Sequence, residues 1–178
     1  ASRGADGRLP FPDGYFDAVV ANQVFEHVPD PAPALAEIAR ILRPGGYFLA
    51  LFPVAETWFE VHSGIYFAHW ISPPERQDRY LTALRRRGFG YFPGKASPER
   101  WAAFMGKTLR TQCHFHRRRD VEKLWKAAFG ARPTSLASDY MLYRIAAHEK
   151  AAHLLPLARL RPVSPLLAGV CRIRAGVV

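Results

Sequence analysis

The sequence predicts an α/β fold in which two buried parallel strands flank one helix. Apolar runs at residues 16–21 and 47–52 have the length and continuity of strands that are buried on both faces of a parallel sheet. The residues between them carry apolar side chains at helical spacing, including Leu35, Ile38 and Leu42. A strand, a helix and a second strand form a βαβ unit, whose crossover is right-handed in nearly all known cases.

The predicted helix has a recognisable beginning and end. Asp30 precedes Pro31, which is the pattern of an N-cap followed by proline at the first helical position. The sequence Arg-Pro-Gly-Gly at residues 43–46 supplies a cation, a proline stop and a glycine that tolerates the left-handed conformation. We therefore expect the helix to end there and the second strand to begin at Tyr47.

Residues 54–110 predict an inserted cap or lid, because aromatic residues and prolines interrupt every regular period. We interpret the aromatic cluster between Trp58 and Trp70 as the core of this cap. Two helices are predicted within it, over residues 76–87 and 97–109. The second has Ser97 as its N-cap and proline at its first position.

Regular α/β character is predicted to return after residue 110. A helix is expected over residues 118–129, ending at Gly130, and a late strand over 141–146 with a partner within 132–138. The leucine- and arginine-rich end of the chain predicts a helical appendage. The predicted divisions are residues 1–53, 54–110, 111–148 and 149–178.

Composition narrows the class of protein. A formal net charge of +10 on 178 residues favours anionic partners. Cys113 and Cys171 form no disulfide-like framework, so a reducing cytoplasmic setting is expected. No run approaches the roughly 18 apolar residues of a membrane-spanning helix. The chain opens at Ala1 without methionine, which suggests a fragment or a processed product.

Four short motifs occur in a fixed order in the first third of the chain. They are LPFPDG at residues 9–14, FDAVV at 16–20, EHV at 26–28 and LRPGG at 42–46. Together they resemble class I S-adenosylmethionine-dependent methyltransferases of the small-molecule, type 11-like kind. The resemblance implies the C-terminal part of a Rossmann-like sheet with helices on both faces, truncated before the glycine-rich cofactor loop. It also implies S-adenosylmethionine as cofactor.

The resemblance places candidate cofactor-binding residues at two points of the chain. Ligands of open α/β sheets bind outside the carboxyl ends of the strands, so polar residues after the first strand face the cofactor. In the family, residues before the first motif cap the adenine, those after the strand flank the methionine part, and the histidine forms the wall near the methyl group. The implied cofactor-binding residues are Asp6, Gly7, Arg8, Asn22, Gln23 and His27.

Candidate catalytic residues are His27 and His62. Methyl transfer from a sulfonium is an in-line displacement, for which the enzyme mainly supplies alignment and a dry site. A hydroxyl or protonated amine acceptor would lose its proton to one of these histidines. His62, His69, His114 and His116 raise the question of a metal, but we expect no metal site. No carboxylate or cysteine stands at convincing ligand spacing, and the arginines at residues 117–119 beside His114 and His116 would repel a cation.

The predicted function is therefore methyl transfer to a small-molecule or glycan-like acceptor, and the net charge favours an anionic one. Two alternatives stay open: a catalytically inert fragment, and a basic RNA- or membrane-associating module on a remnant of the fold. Basic runs at residues 85–87 and 117–119 motivate the second alternative, but no RNA-binding signature accompanies them, so nucleic acid is not expected. Peripheral membrane association through the C-terminal tail is weakened by its three prolines, Pro156, Pro162 and Pro165.

Overall fold

The computed structural model describes residues 8–92, 94 and 96–147. Two parallel strands and five helices account for most of it, together with one short hairpin. Short 3-10 turns lie at Phe25–His27 and Ala68–Trp70. The strands and helices are β1 (Phe16–Asn22), α1 (Pro31–Ile41), β2 (Leu42–Leu51), β3 (Phe59–Glu60), β4 (Ile65–Tyr66), α2 (Pro74–Arg86), α3 (Pro98–Thr111), α4 (Arg118–Phe129) and α5 (Ala137–Ala147).

The predicted βαβ unit is confirmed. Strand β1 pairs in parallel with β2, with Val20 opposite Leu49 and Asn22 opposite Leu51. Helix α1 connects them, and its N-cap Asp30 accepts a hydrogen bond from the backbone N–H of Ala32 at 3.0 Å. This parallel sheet with its helices confirms the α/β fold class.

Strand β2 begins five residues earlier than predicted. We expected the Arg-Pro-Gly-Gly sequence at residues 43–46 to end the helix, but α1 already ends at Ile41 and Leu42 is extended. Leu42 pairs with Phe16, and the register then shifts before Ala18 pairs with Tyr47. The glycines therefore lie in the irregular first part of β2, where the register with β1 shifts. A Cβ on Gly46 would lie 2.9 Å from the carbonyl oxygen of Asp17, which explains why a glycine fits there.

The prediction that both strands are buried on two faces is wrong for the described residues. One face, with Ala21 and Ala50, packs against α1 and α4, and the Phe48 ring stacks on Trp125 at 4.7 Å. On the other face, Val20 is 68% exposed and Leu49 is 47% exposed. An apolar run shows that a face can be buried, but it does not supply the element that covers it.

The insertion forms its own core. The hairpin β3–β4 and helices α2 and α3 enclose a second buried cluster, separate from the one beneath the sheet. Both predicted helices are confirmed within two residues at each end, and the Ser97 hydroxyl caps α3 by accepting from the Arg100 N–H at 3.3 Å. The buried members of this cluster are Ile65, Ala68, Leu81, Trp101, Ala102, Met105, Leu109 and Cys113.

The aromatic cluster is not the core of the cap, contrary to our interpretation. Trp58, Phe67 and Trp70 are exposed, and the Phe67 ring lies tilted against the other two, with ring centroids 5.4–5.9 Å apart. The cap core is instead built from aliphatic side chains and Trp101. In this protein, the segment that is rich in aromatic residues therefore lies at the surface.

The predicted late strand is also wrong. Residues 141–146 lie inside helix α5, and residues 137–138 of the predicted partner strand lie there as well. A short apolar run is compatible with either element, and nothing in its periodicity decides between them. The preceding helix, α4, spans Arg118–Phe129 as predicted and ends at Gly130, whose φ of 74° is left-handed. Residues 149–178 lie outside the described residues.

A network around Arg40 ties the first described residues to α1. The Arg40 guanidinium donates to the backbone oxygens of Leu9 and Phe11 and pairs with Glu37 and Asp13. The Leu9 N–H donates to Glu37 Oε1 at 2.7 Å. This network fixes the chain that leads into β1.

The Glu37 carboxylate should make stability depend on acid. Hydrogen bonds from Arg40 and then from the Leu9 N–H lower the pKa of Glu37 from 4.5 to about 2. A lowered pKa in the folded state means that its stabilising effect is complete above pH 4.5 and is lost as the pH falls toward about 2. We expect Glu37→Gln to flatten the fall in unfolding free energy over this window, measured by urea unfolding across a pH series. Identical pH profiles for both proteins would contradict this role.

Candidate functional site

Asn22 and Gln23 lie at the carboxyl end of β1, as predicted. The Gln23 backbone N–H donates to the Leu51 carbonyl at 2.7 Å, which extends the pairing with β2 by one residue. Gln23 then turns the chain with a φ of 54°, a left-handed conformation that is uncommon outside glycine. Both side chains are exposed at the edge of the sheet where ligands of this architecture bind.

The 3-10 turn after β1 places His27 at the same edge. Phe25 anchors the turn in the core with 3% exposure, whereas the His27 side chain is exposed. His27 Nδ1 lies 2.7 Å from the carbonyl oxygen of Gln112, so this nitrogen is the donor. The contact holds the imidazole in one orientation.

His62 approaches from the turn of the β3–β4 hairpin. Its Nδ1 lies 2.6 Å from Oε1 of Glu60, whose other oxygen accepts the Ser63 N–H at 2.6 Å. The rings of His27 and His62 are 5.2 Å apart between centroids. The structure therefore brings together the two predicted catalytic residues, which are 35 positions apart in sequence.

Sequence reasoning missed two members of this cluster, Glu60 and Cys113. Glu60 is fully buried, and its spacing of two residues from His62 is the one local signal that could have revealed the pair. Cys113 follows α3 and is 7% exposed, with its Sγ 3.8 Å from His62 Nδ1. No local pattern connects it with the histidines, because their contact depends on how the insertion folds.

The charges of the cluster are strongly perturbed. Hydrogen bonds with Cys113 and Glu60 raise the pKa of His62 to about 10. Burial opposes ionisation of Glu60, but hydrogen bonds from His62 and Ser63 outweigh it and lower the pKa of Glu60. A His62 that stays protonated at neutral pH donates rather than accepts, which weighs against its predicted role as the proton acceptor in this state of the site.

Glu26 carries a second buried carboxyl beside the histidines. It is fully buried, and neither carboxyl oxygen has a hydrogen-bond partner among the described residues. Burial raises the pKa of Glu26, and its own backbone and then the nearby His27 and His62 only partly offset this. An unpartnered carboxyl in the interior is costly unless a cation or a proton compensates it.

The other predicted site residues are not part of this cluster, and two of them are not among the residues that the structure describes. Arg8 is exposed at the start of the described chain, and Asp6 and Gly7 lie outside the described residues. His116 Nε2 is 2.8 Å from the carbonyl oxygen of Val28, and the His114 N–H donates to the Glu26 carbonyl. Among the described residues, no helix combines the length and apolarity that a bilayer crossing requires.

Comparison with known proteins shows similarity to methyltransferases. A family model described as a methyltransferase domain matches residues 2–50. An uncharacterized methyltransferase of Mycobacterium sp. (strain JLS) is 30% identical over 122 residues, which make up 65% of this chain and 48% of the relative. Residues 2–50 are therefore similar to part of a methyltransferase domain, and a longer stretch of the chain is similar to a methyltransferase. The matched methyltransferase segment contains β1, α1 and nearly all of β2, and therefore Asn22, Gln23 and His27.

Two further relatives match shorter stretches of the chain at higher identity. An uncharacterized methyltransferase of Schizosaccharomyces pombe is 52% identical over 40 residues, which are 22% of this chain and 14% of the relative. The ubiquinone/menaquinone biosynthesis C-methyltransferase of Francisella philomiragia is 49% identical over 43 residues, 24% of this chain and 17% of the relative. The chain thus spans between 14% and 48% of the length of these three methyltransferases.

Proposed function

We propose that this chain is part of an S-adenosylmethionine-dependent methyltransferase that acts on a small-molecule or glycan-like acceptor. It would form the methyl-facing rim, by which we mean the carboxyl edge of the sheet with Asn22, Gln23 and His27. One observation carries the proposal. The segment that matches the methyltransferase family coincides with the strand–helix–strand unit whose carboxyl edge presents Asn22, Gln23 and His27. The fold thereby directs these polar groups to the position where a ligand of such a sheet binds.

The donor chemistry of the rim fits the methionine part of this cofactor. An amide side chain both donates and accepts hydrogen bonds, so Asn22 and Gln23 suit an ammonium and a carboxylate group side by side. The resemblance assigns Asp6, Gly7 and Arg8 to binding of the adenine. When bound, the cofactor supplies a methyl group activated on a sulfonium sulfur.

The chain itself contributes alignment, exclusion of water and the acceptor wall. An in-line displacement gains most of its rate from holding the acceptor atom behind the methyl group in a dry site. The exposed His27 is the group of the cluster that lies open to an acceptor, and its Nδ1 is already held by Gln112. We assign removal of an acceptor proton to His27 ahead of His62, which remains the second candidate.

Binding of S-adenosylmethionine to the 178-residue chain tests the proposal. We expect Asn22→Ala to weaken binding about tenfold or more, because a hydrogen bond to a charged group contributes about 1.5–3 kcal/mol. Isothermal titration calorimetry measures this. Lys123→Ala is the control, since the Lys123 side chain is 77% exposed on α4, and its affinity should match that of the unchanged chain.

A second readout separates the active and inert alternatives. Transfer of a labelled methyl group from S-adenosylmethionine to a mixture of small-molecule acceptors would refute the inert fragment. Binding without transfer would favour it. Absence of binding, or equal affinity of the Asn22→Ala and Lys123→Ala variants, would contradict the role we assign to the rim.

A further inference from the structure

Three groups of the kind that bind transition metals converge at the rim. His27 comes from the turn after β1, His62 from the β3–β4 hairpin and Cys113 from the residues after α3. One candidate ligand atom from each lies within 4.8 Å of the other two. Two imidazoles and one thiolate make up a ligand set that suits Zn²⁺, whose bonds to nitrogen and sulfur are about 2.0–2.3 Å long.

Each imidazole has a hydrogen-bond partner on one ring nitrogen, as is usual for histidines that bind metals. His27 Nδ1 donates to the carbonyl oxygen of Gln112, and His62 Nδ1 lies 2.6 Å from the Glu60 carboxylate. A carbonyl or carboxylate on one ring nitrogen fixes the ring and makes the other nitrogen a better ligand. The two partners come from different segments, so the arrangement is a product of the tertiary fold.

The charges around the cluster favour a cation. Glu26 and Glu60 are fully buried, and Glu26 has no hydrogen-bond partner for either carboxyl oxygen among the described residues. A divalent cation bound by a thiolate carries one net positive charge, which a neighbouring carboxylate can neutralise. A metal ion would place a positive charge near the buried Glu26 carboxyl, which has no hydrogen-bond partner among the described residues.

We infer that His27, His62 and Cys113 form a Zn²⁺ site at the rim. Three protein ligands leave a fourth position, which faces outward because His27 is exposed while Cys113 is buried. An open position is typical of zinc sites that engage a reactant. Zn²⁺ binds a thiolate and neutral imidazoles, so any proton on a ligand atom leaves to solvent on binding, with no change of oxidation state.

The site goes beyond methyl transfer and does not rest on it. With Zn²⁺ bound, His27 and His62 act as ligands in place of the proton-accepting roles assigned above. An oxygen or sulfur atom of an acceptor at the fourth position would then be deprotonated more easily through its bond to the metal. Metal binding itself is measurable without S-adenosylmethionine.

The test is Zn²⁺ affinity of the full 178-residue chain, measured by competition with a chromophoric chelator, together with the absorption spectrum of the Co²⁺ form. We expect one metal ion per chain and a thiolate-to-cobalt charge-transfer band. Cys113→Ser should abolish the band, and His27→Gln should weaken Zn²⁺ binding at least about tenfold. Glu60→Gln should weaken it about 10–100-fold, the effect typical of losing the group that holds a metal ligand.

His114→Gln is the matched control, because His114 adjoins Cys113 in sequence but lies outside the cluster. It should retain the affinity and the spectrum of the unchanged chain. His27→Gln keeps the test decisive if the buried Cys113→Ser variant fails to fold, since the exposed His27 side chain leaves the core intact. A Co²⁺ form without the thiolate band, or equal Zn²⁺ affinity for His27→Gln and His114→Gln, would overturn the inference.

Discussion

Replacing Phe52 with alanine should lower the free energy of unfolding by about 3–5 kcal/mol, the usual cost of removing a buried phenylalanine ring. Phe52 follows β2 and is 1% exposed, and its ring centroid lies 5.3 Å from that of Phe25. Phe25 begins the turn that presents His27, so the cavity would open directly beneath the rim. Urea unfolding followed by circular dichroism measures the loss.

Leu49→Ala is the control, because Leu49 lies in β2 itself, three residues before Phe52. Leu49 is 47% exposed in the described structure, so its truncation should change stability by only about 0.5 kcal/mol. The comparison also tests which face of the sheet is buried. If Leu49→Ala were as costly as Phe52→Ala, the face with Val20 and Leu49 would have to be covered, contrary to its exposure here.

Local sequence signals correctly predicted the helix ends that are formed by capping residues or by glycine. Asp30 before Pro31 gave the start of α1, and Ser97 before Pro98 gave the start of α3, because a capping side chain satisfies orphan backbone donors wherever it occurs. Gly130 gave the end of α4 for a similar reason, since it accepts a left-handed φ without cost. Such signals act within one turn of chain, so tertiary context rarely overrides them.

Predictions that depended on the rest of the fold were less secure. The apolar residues at 141–146 suited a strand, but the structure places them in α5. The aromatic residues from Trp58 to Trp70 suited a core, but the insertion core is formed mainly by aliphatic side chains, and four of these aromatic residues lie at the surface. In both cases the segment is hydrophobic, as the sequence shows. The error lay in assuming which other elements of the fold would pack against it.

In the candidate site, too, the features set by local sequence were predicted, whereas those set by the tertiary fold were not. The position of Asn22 and Gln23 follows from the end of one strand, and the βαβ pattern alone was enough to place them at the carboxyl edge of the sheet. The contact between His27 and His62 required the hairpin to fold back over the sheet edge. Cys113 required the end of α3 to return to the same point, and no pattern of spacing records that event.

Gly90→Ala should destabilise the insertion by about 2–5 kcal/mol, which combines a left-handed backbone cost of about 1–2 and an overpacking cost of about 1–3. Gly90 has a φ of +93°, and a Cβ there would lie 2.7 Å from ring carbons of Trp101. Trp101 is 5% exposed in the insertion core, so its ring has little room to move. Urea unfolding again provides the measurement.

Gly88→Ala separates the two costs. Gly88 has a similar φ of +85°, but a Cβ there meets nothing within 4 Å, so its variant should show only the backbone cost of about 1–2 kcal/mol. The difference between the two variants therefore measures the clash with Trp101. Equal losses would mean that Trp101 yields without cost, and the packing argument would fail.

The same pair of variants tests whether the insertion positions the rim. A Cβ on Gly90 would also approach the Ser63 carbonyl oxygen at 3.3 Å, and that oxygen accepts the Tyr91 N–H at 2.8 Å. The Ser63 N–H in turn donates to the carboxylate of Glu60, which holds His62. Strain at Gly90 is thus transmitted through two hydrogen bonds to the imidazole. Gly90→Ala should therefore weaken Zn²⁺ binding while Gly88→Ala leaves it unchanged, because only the first presses on the turn that carries His62.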